Sequence, residues 1–241
     1  MIEMTAHFIS YNDFTAIKNC IESFLYEIEY PLSKLEIIVV DNGSTDESVT
    51  NYVKNLNIEG LGSYQYILND KNDYPACLKF AKVQARNIAK GKYFLDVPDD
   101  HLFILSGNWM QEYIDHCIED KSVGCVCYCA QPSYRFRKSN NKYSNNNLNK
   151  NFVVSSLKGY GDYHVMLKSV YSQAGDYSFE LGRKTESEYM TRMSSLGYYR
   201  NLPIIPSAII NEAGYRLLRK ISQAKLYEDF GHDKPISNEE L

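Results

Sequence analysis

The sequence contains no long apolar run, and this absence excludes several classes of protein. No stretch of about 18 apolar residues occurs, so no membrane-spanning helix is predicted. The N-terminal segment MIEMTAHFISYN has no basic part followed by an apolar part, and so it does not resemble a secretory signal. The simplest expectation from these two absences is a cytoplasmic protein.

An excess of positive charge is also missing. The 241 residues include 26 Lys and Arg against 30 Asp and Glu, which gives a net charge of −4. Nucleic-acid-binding domains commonly carry a basic surface, so this balance argues against a nucleic-acid partner. With 44% hydrophobic residues, the chain can still form a sizeable apolar core.

Two common phosphate-binding motifs are absent. The sequence has no G-x-x-x-x-G-K-[ST] segment, and Gly60-Leu61-Gly62 lacks the third glycine of a dinucleotide fingerprint. These glycines also precede a strand pattern rather than open a helix. P-loop enzymes and Rossmann dehydrogenases are therefore disfavoured, and phosphate would have to be held in another way.

The C-x-x-C spacing of structural zinc sites is absent as well. Three of the six cysteines, Cys125, Cys127 and Cys129, alternate along a strand pattern. Alternate residues of a strand share one face, where neighbours two apart are poorly placed to bond each other. We interpret these cysteines as reduced and partly buried.

What the sequence does contain is an alternation of strand and helix patterns over its first hundred residues. Strand patterns cover residues 6–10, 35–40, 64–68 and 93–97, and helical patterns, such as 77–89, lie between them. The order β-α-β-α-β-α-β predicts a parallel sheet with right-handed crossovers. We therefore expect the α/β class, with a mainly parallel central sheet flanked by helices.

Beyond residue 105 the patterns are less regular. Helical spacing covers 109–118, 186–196 and an amphipathic segment at 215–227, and strand patterns cover 123–130 and 165–167. Residues 132–151 are rich in Asn and contain five basic residues and no acid. We interpret this segment either as a solvated insertion or as a flap over an anionic ligand.

Polar residues follow the predicted strands, where ligands bind in open α/β sheets. The polar segments are Tyr11-Asn12-Asp13, Asp41-Asn42-Gly43, Asn69-Asp70 and Asp99-Asp100. Ser44-x-x-Glu47 has the spacing of a capping box and predicts a helix start with free N–H groups near this edge. Asp99-Asp100 offers oxygen ligands for Mg²⁺ or Mn²⁺, which bind through one or two carboxylates plus substrate phosphates.

Three segments together resemble the GT-A glycosyltransferases of family 2, in their order and spacing. They are ISYN at 9–12, IIVVDNGSTD at 37–46, and ARNIAKGKYFL at 85–95 with Pro98-Asp99-Asp100 after it. The resemblance covers roughly residues 5 to 200 and implies one GT-A domain, the nucleotide-diphospho-sugar transferase fold, over 1–241. Within it, 1–104 would bind the nucleotide sugar, 105–214 would bind the acceptor, and 215–241 would form a C-terminal helix and tail.

The resemblance also implies a nucleotide and metal site. The family's D-x-D motif maps onto Pro98-Asp99-Asp100, although Pro98 stands where many members have Asp. Asp100 would then bind Mn²⁺ or Mg²⁺, and His101 would be either a further ligand or a structural residue. Asp41 is expected to form a hydrogen bond with the base of the nucleotide. The full set of expected nucleotide contacts is Ser10, Tyr11, Asn12, Asp41, Arg86 and Asp99.

The second half resembles the family at the segment that carries its catalytic acid. Glu186 occupies the position of that acid and is expected to be the general base, with Glu188 in reserve. Both glutamates could instead be acids of a first helical turn that favour the helix dipole. The expected acceptor contacts are Asp162, His164 and Trp109, the last of which could equally belong to the core.

The resemblance implies an inverting glycosyltransferase. It would move a sugar from a UDP, GDP or dTDP donor to a glycan or lipid-linked sugar acceptor, in glycan or polysaccharide assembly. A sugar nucleotidyltransferase is one alternative, but it would carry a Gly-rich basic loop after the first strand, and Ser10-Tyr11-Asn12-Asp13 is neither. A non-catalytic nucleotide-sugar-binding module is another.

Overall fold

The structure is a computed structural model in which ten strands and five α-helices are described. The strands are β1 (Met4–Ser10), β2 (Leu35–Asp41), β3 (Ser63–Leu68), β4 (Tyr93–Pro98), β5 (His101–Phe103), β6 (Cys125–Tyr128), β7 (Gln131–Pro132), β8 (Tyr163–Leu167), β9 (Tyr199–Leu202) and β10 (Ser207–Ile209). The helices are α1 (Phe14–Glu27), α2 (Glu47–Lys54), α3 (Ala76–Ile88), α4 (Trp109–Glu119) and α5 (Lys168–Ala174). The described residues are 1–72, 76–103, 106–119, 125–128, 131–132, 163–175, 188–189, 192, 199–202 and 207–209.

Seven strands form the central sheet, in the order β3-β2-β1-β4-β8-β6-β9. The first four strands along the chain pair in parallel, as do β6 and β9, whereas β8 runs antiparallel to both of its neighbours. A smaller sheet has the order β5-β10-β7. The expected α/β class with a mainly parallel central sheet is confirmed.

Helices cover both faces of this sheet. Successive side chains of a strand point to opposite faces, and because the central strands are buried throughout, each face packs against helices. Phe8 on β1 contacts Phe24 on α1, which in turn packs edge to face on Phe103. Ile9, the next residue on β1, belongs to a separate cluster that includes Ala81 and Ala85 of α3. The sheet is therefore buried between α1, α2 and α4 on one face and α3 and α5 on the other.

The predicted elements of the first half agree with the structure to within two residues at each end. Beyond β4 the sequence patterns missed α5 and the short strands β5, β7, β9 and β10, which have too few residues to show a period. The basic segment beyond Pro132 and the segment 215–241 lie outside the described residues.

Candidate active site

The ends of three strands meet at one edge of the sheet. In the parallel register, Ser10 is opposite Asp41, and Ile9 is opposite Pro98 on the other side of β1. Because the strands are parallel and in register, the residues that follow them lie side by side. The structure therefore brings together the segments at 10–13, 41–46 and 98–100, as predicted.

Asp41 is fully buried at this edge, and its carboxylate organises the turn after β2. Oδ1 accepts a hydrogen bond of 2.9 Å from the Ser44 backbone N–H, and Oδ2 accepts one of 3.4 Å from the Thr50 hydroxyl. Gly43 has a φ of 81°, and a Cβ at this position would lie 2.8 Å from Lys71 Cα. The Asp41 carboxylate thus fixes the turn, and Gly43 allows the turn to pack against Lys71, where there is no room for a side chain.

Asn12 joins the turn after β1 to the turn after β2. Its Oδ1 accepts hydrogen bonds from the backbone N–H groups of Thr45 at 2.7 Å and Asp46 at 3.1 Å. Its own N–H donates to Ser44 Oγ at 2.9 Å. Asn12 adopts a φ of 51°, a left-handed conformation that Asn tolerates better than most residues. These three bonds, with a weaker one from the Thr45 hydroxyl, make Asn12 a clamp between the two turns.

The expected capping box at Ser44 and Glu47 is wrong. Helix α2 begins at Glu47, its N-cap is Asp46, and the Asp46 side chain accepts from the Ser48 N–H. The N–H groups at 44–46 were expected to be free for a ligand, but Asp41 and Asn12 accept from all three. The sequence pattern failed because Asn12, 33 and 34 residues away, satisfies the donors of Thr45 and Asp46, while Asp41 satisfies that of Ser44.

At the end of β4, the carboxylates of Asp100 and Asp13 lie within electrostatic reach of Asp99. Burial and the nearby charges of Asp100 and Asp13 raise the pKa of Asp99 to about 7. The Tyr11 backbone N–H partly offsets this rise by hydrogen bonding to the same carboxylate. Asp100 is more accessible, with 36% of its side chain exposed. Mutual repulsion of this kind is what a bound cation relieves.

This arrangement fits a divalent cation held partly by substrate. The described residues contain no group of three or more His, Cys, Asp or Glu that could enclose a metal ion by themselves. Mg²⁺ and Mn²⁺ nevertheless need only one or two carboxylates when phosphate oxygens complete their coordination. Asp99 and Asp100 offer such oxygens, so the residues present fit the metal.

His101 is buried next to these acids. Its Nε2 lies 3.8 Å from Asp100 Oδ1, and burial lowers the pKa of the imidazole well below its usual value. A neutral imidazole forms no ion pair with Asp100. The structure therefore places His101 close enough to support Asp100, and a role as metal ligand stays a prediction.

A buried charged group that sequence reasoning missed lies beneath this site. His7 Nδ1 is 2.7 Å from Asp96 Oδ1, and Lys82 Nζ is 3.8 Å from Asp96 Oδ2. All three side chains are at most 7% exposed. The signal in the sequence was the presence of His and Asp at the centre of two otherwise apolar strands.

Arg86 is also buried, one turn after Lys82 on α3. One further turn along, the Lys90 N–H donates to Glu36 near the amino-terminal end of β2. Helix α3 thus runs from the carboxyl edge of the sheet towards its amino-terminal edge. The Cα of Arg86 lies towards the latter, and the expected contact of Arg86 with the nucleotide stays a prediction.

Of the two glutamates considered as the base, Glu188 is within the described residues and Glu186 is not. Glu188 forms a bidentate pair with Arg192 at 3.0 and 2.7 Å, which lowers its pKa. Arg192 also donates to the Ala174 carbonyl at the end of α5. A carboxylate committed to an arginine is a weaker base, so this geometry favours Glu186 over Glu188.

The acceptor residues are only partly described. Trp109 is 2% exposed and stacks on Phe103 with ring centroids 5.7 Å apart. This burial favours the core role for Trp109, because a sugar would need an uncovered ring face. His164 lies on β8 opposite Cys127, and Asp162 is outside the described residues. Contacts of these three residues with an acceptor stay predictions.

Comparison with known protein families gives a decisive match. The model for glycosyl transferase family 2 matches residues 5–175, well over half of the chain. This chain belongs to glycosyl transferase family 2. The match includes both turns joined by Asn12 and the Asp99-Asp100 pair, so the edge described above lies within the family's domain. Comparison with curated proteins gives no match.

Solved structures support the same fold for this family 2 chain. Residues 1–349 of S. aureus TarS in complex with UDP align with a TM-score of 0.64 at 13% identity, covering 94% of this chain and 66% of that one. The mannosyltransferase PcManGT from Pyrobaculum calidifontis, in complex with GDP-Man and Mn²⁺, aligns with a TM-score of 0.58 at 17% identity. That alignment covers 97% of this chain and 66% of that one. The chain thus spans slightly less than two thirds of these structures.

The described part of the chain was also searched for membrane-spanning segments. None of its helices combines the length and the apolar character needed to cross a bilayer.

Proposed function

We propose that this chain is an inverting, metal-dependent glycosyltransferase that moves a sugar from a nucleotide-diphosphate donor to a hydroxyl group of a glycan or lipid-linked sugar. The observation that carries the proposal is the register of β2, β1 and β4. It aligns Ser10, Asp41 and Pro98 at one edge, next to Asp99 and Asp100. UDP in the TarS structure and GDP-Man in the PcManGT structure support a nucleotide-sugar donor.

Asp100, assisted by Asp99, would hold Mn²⁺ or Mg²⁺ with the diphosphate. When bound, the cation supplies Lewis-acid stabilisation of the charge that develops on the leaving diphosphate. The Mn²⁺ in the PcManGT complex supports this choice of metal. On the protein side, the Tyr11 N–H orients the Asp99 carboxylate, and Asp41 would accept a hydrogen bond from the base.

Glu186 would act from the acceptor half. An acceptor hydroxyl must lose its proton as it attacks the anomeric carbon, and a carboxylate within hydrogen-bond reach contributes about 10²–10⁴-fold to such a step. Attack from the face opposite the departing diphosphate inverts the anomeric configuration. Because inversion takes a single displacement, no covalent nucleophile is required.

The test is nucleotide-sugar binding and turnover with the purified chain. We expect UDP-, GDP- or dTDP-sugar to raise the melting temperature in the presence of Mn²⁺, and slow donor hydrolysis to depend on Mn²⁺. Asp100→Asn should abolish the Mn²⁺-dependent part of both signals. Asp115→Asn, on an exposed position of α4, is the matched control and should leave both signals unchanged.

Two results would contradict the proposal. If none of the three donors shifts the melting temperature with Mn²⁺ or Mg²⁺, the edge is not a nucleotide-sugar site. If a donor binds but neither hydrolysis nor transfer to any sugar acceptor occurs, the chain is a binding module rather than an enzyme.

A further inference from the structure

The turn that carries Asp99 and Asp100 leaves the central sheet where β4 ends. Only these two residues separate Pro98, the last residue of β4, from His101, the first residue of β5, and β5 belongs to the smaller sheet. We call residues 98–101 the acidic turn. The ladder between β1 and β4 ends with the pair Ile9 and Pro98, so both carboxylates lie beyond it.

Helix α1 contacts the acidic turn through the thiol of Cys20. Cys20 is fully buried, and its Sγ donates a hydrogen bond of 3.4 Å to the Pro98 carbonyl oxygen. Burial, and then the charges of Asp99 and Asp100, raise the pKa of this thiol well above its usual value. A hydrogen bond from the His101 backbone N–H partly offsets the rise. One sulfur atom therefore bonds both the first and the last residue of the turn.

Ser23, three residues further along α1, holds β5 in a similar way. The Phe103 backbone N–H donates to Ser23 Oγ at 3.0 Å, and the Ser23 hydroxyl donates to the Cys20 carbonyl at 3.2 Å. Because the hydroxyl proton is directed to that carbonyl, the oxygen lone pairs are available to Phe103. Ser23 is 5% exposed, so both contacts are within the core.

The spacing of the two contacts matches a strand beside a helix. Alternate residues of a strand direct their N–H groups to the same side, and here His101 and Phe103 direct theirs to α1. Residues three apart on a helix share one face, so Cys20 and Ser23 can accept from both. Strand β5 meanwhile pairs with β10. Since a buried N–H group without an acceptor is unfavourable, these contacts fix where β5 and the acidic turn lie.

The position of the turn backbone determines where its carboxylates lie. Asp100 has a short side chain that is 36% exposed, so a displacement of its backbone displaces its oxygens by a similar distance. Mg²⁺ requires nearly ideal octahedral coordination, and a displaced ligand weakens its binding. The contacts made by α1 therefore bear on metal affinity.

We propose that Cys20 and Ser23 are positioning residues that hold the acidic turn where Asp99 and Asp100 can bind the cation together with the donor diphosphate. This inference rests on the proposed function and extends the site to two buried residues of α1. Both residues act through the backbone of the turn and of β5 rather than by touching the metal or the donor.

The first test uses the metal-free protein in EDTA and follows hydrogen exchange of single amides by NMR. Ser23→Ala removes the acceptor of the Phe103 N–H, and we expect that amide to exchange about tenfold or more faster. Cys20→Ala should have the same effect at His101. Amides of the ladder between β1 and β2 should be unchanged in both variants. If neither His101 nor Phe103 exchanges faster, the contacts do not hold the turn and the inference is overturned.

The second test measures Mn²⁺ affinity from the electron paramagnetic resonance signal of free Mn²⁺. The nucleotide present is UDP, GDP or dTDP, whichever raises the melting temperature most. We expect Cys20→Ala and Ser23→Ala each to weaken Mn²⁺ binding by about three- to tenfold. Cys20→Ser retains a donor and an acceptor, so it should bind Mn²⁺ more tightly than Cys20→Ala.

Cys117→Ala is the matched control. Cys117 is a buried cysteine of α4 within electrostatic reach of Tyr93, at the opposite end of β4 from the acidic turn. Its truncation removes the same atom from the core and should leave Mn²⁺ affinity unchanged. Circular dichroism checks that each variant is folded, and Ser23→Ala tests the inference alone if Cys20→Ala is not.

The outcomes separate this inference from the proposed function. If the wild-type chain binds no Mn²⁺ with any of the three nucleotides, the proposed function fails and the inference fails with it. If the wild type binds Mn²⁺ and both alanine variants bind it equally tightly, the inference alone is overturned. The same holds if Cys117→Ala weakens Mn²⁺ binding as much as Cys20→Ala does. A Cys20→Ser variant no better than Cys20→Ala would overturn the part assigned to Cys20.

Discussion

At the residue scale, the site is built from carboxylates whose neighbours give them different properties. Asp99 is partly buried beside two other acids, and its pKa is raised to about 7. Asp46 is exposed and accepts hydrogen bonds from both the N–H and the hydroxyl of Ser48, which lower its pKa. An aspartate therefore serves at one position as a carboxylate whose ionisation is unfavourable, and at another as a stabilising helix cap.

The Asp99 shift predicts a pH-dependent stability in the metal-free protein. Between about pH 4 and pH 7 the folded state holds a proton that the unfolded state has lost, so stability falls as pH rises through this window. Asp99→Asn removes the effect and should stabilise the metal-free chain at pH 8 by on the order of 2 kcal/mol, and by less at pH 5. Urea denaturation in EDTA measures both values.

Asp46→Asn is the control, because the stability contributed by Asp46 depends on pH in the opposite direction. Its pKa is lowered in the folded state, so its contribution is present above the unfolded pKa and is lost as pH falls. Asp46→Asn should therefore be destabilising at pH 8 and nearly neutral in acid. Equal effects of Asp99→Asn at pH 5 and pH 8 would contradict the account of Asp99.

Glu186 and Glu188 are separated by a second residue-scale prediction. Glu186→Gln should lower kcat by about 10²–10⁴-fold and leave nucleotide affinity unchanged, because a base acts only in the chemical step. Glu188→Gln should retain most turnover, because Arg192 already occupies its carboxylate. Steady-state kinetics with a sugar acceptor distinguishes the two, and an active Glu186→Gln enzyme would move the assignment to Glu188.

At the element scale, the Asn12 clamp connects the start of α2 to the end of β1. Two backbone N–H groups just before α2 donate to one amide oxygen, and the φ of 51° holds that oxygen in place. The clamp explains why the first two turns form one wall of the candidate site. It also shows that Asn12 has a structural task in addition to any contact with nucleotide.

Asn12→Ala should lower the free energy of unfolding by about 1–2 kcal/mol, as expected when a cap is lost. Alanine also disfavours the positive φ, whereas glycine does not. Asn12→Gly should consequently be about 1 kcal/mol more stable than Asn12→Ala, although it also lacks the amide. Urea denaturation of the three proteins measures both differences, and equal stability of the wild type and Asn12→Ala would rule out the clamp.

At the scale of the whole molecule, the group formed by His7, Asp96 and Lys82 links two central strands to α3. Removing one member of a buried ionic group leaves an uncompensated charge, so Asp96→Ala should destabilise the fold by about 3–5 kcal/mol. The triple change His7→Leu, Asp96→Leu and Lys82→Met removes all the charges together. It should be less destabilising than Asp96→Ala.

Thermal and chemical unfolding of the two variants gives this comparison directly. A triple variant that is less stable than Asp96→Ala would show that the group contributes net stability. Since Asp96 lies on β4 four residues before Asp100, loss of Mn²⁺-dependent nucleotide binding in a stably folded triple variant would show that it also positions the metal site.

Several features followed from sequence alone because they depend on local periodicity. The alternation of apolar strands and amphipathic helices predicted the α/β class, and the polar segments after the strands predicted where the site lies. Parallel strands in register necessarily bring such segments together, so Asp41 and Asp99 could be placed at one edge without coordinates.

Other features depended on contacts between residues far apart in the chain, which no local pattern encodes. Asn12 accepts hydrogen bonds from the N–H groups of Thr45 and Asp46. The pKa of Asp99 is raised by burial and by Asp100, and further by the distant Asp13. Asn42 accepts a hydrogen bond from Asn69. The order of apolar and polar residues thus determined which edge of the sheet bears the site. Only the packing of distant segments decided which of its donors and charges are already satisfied and which are left for a ligand.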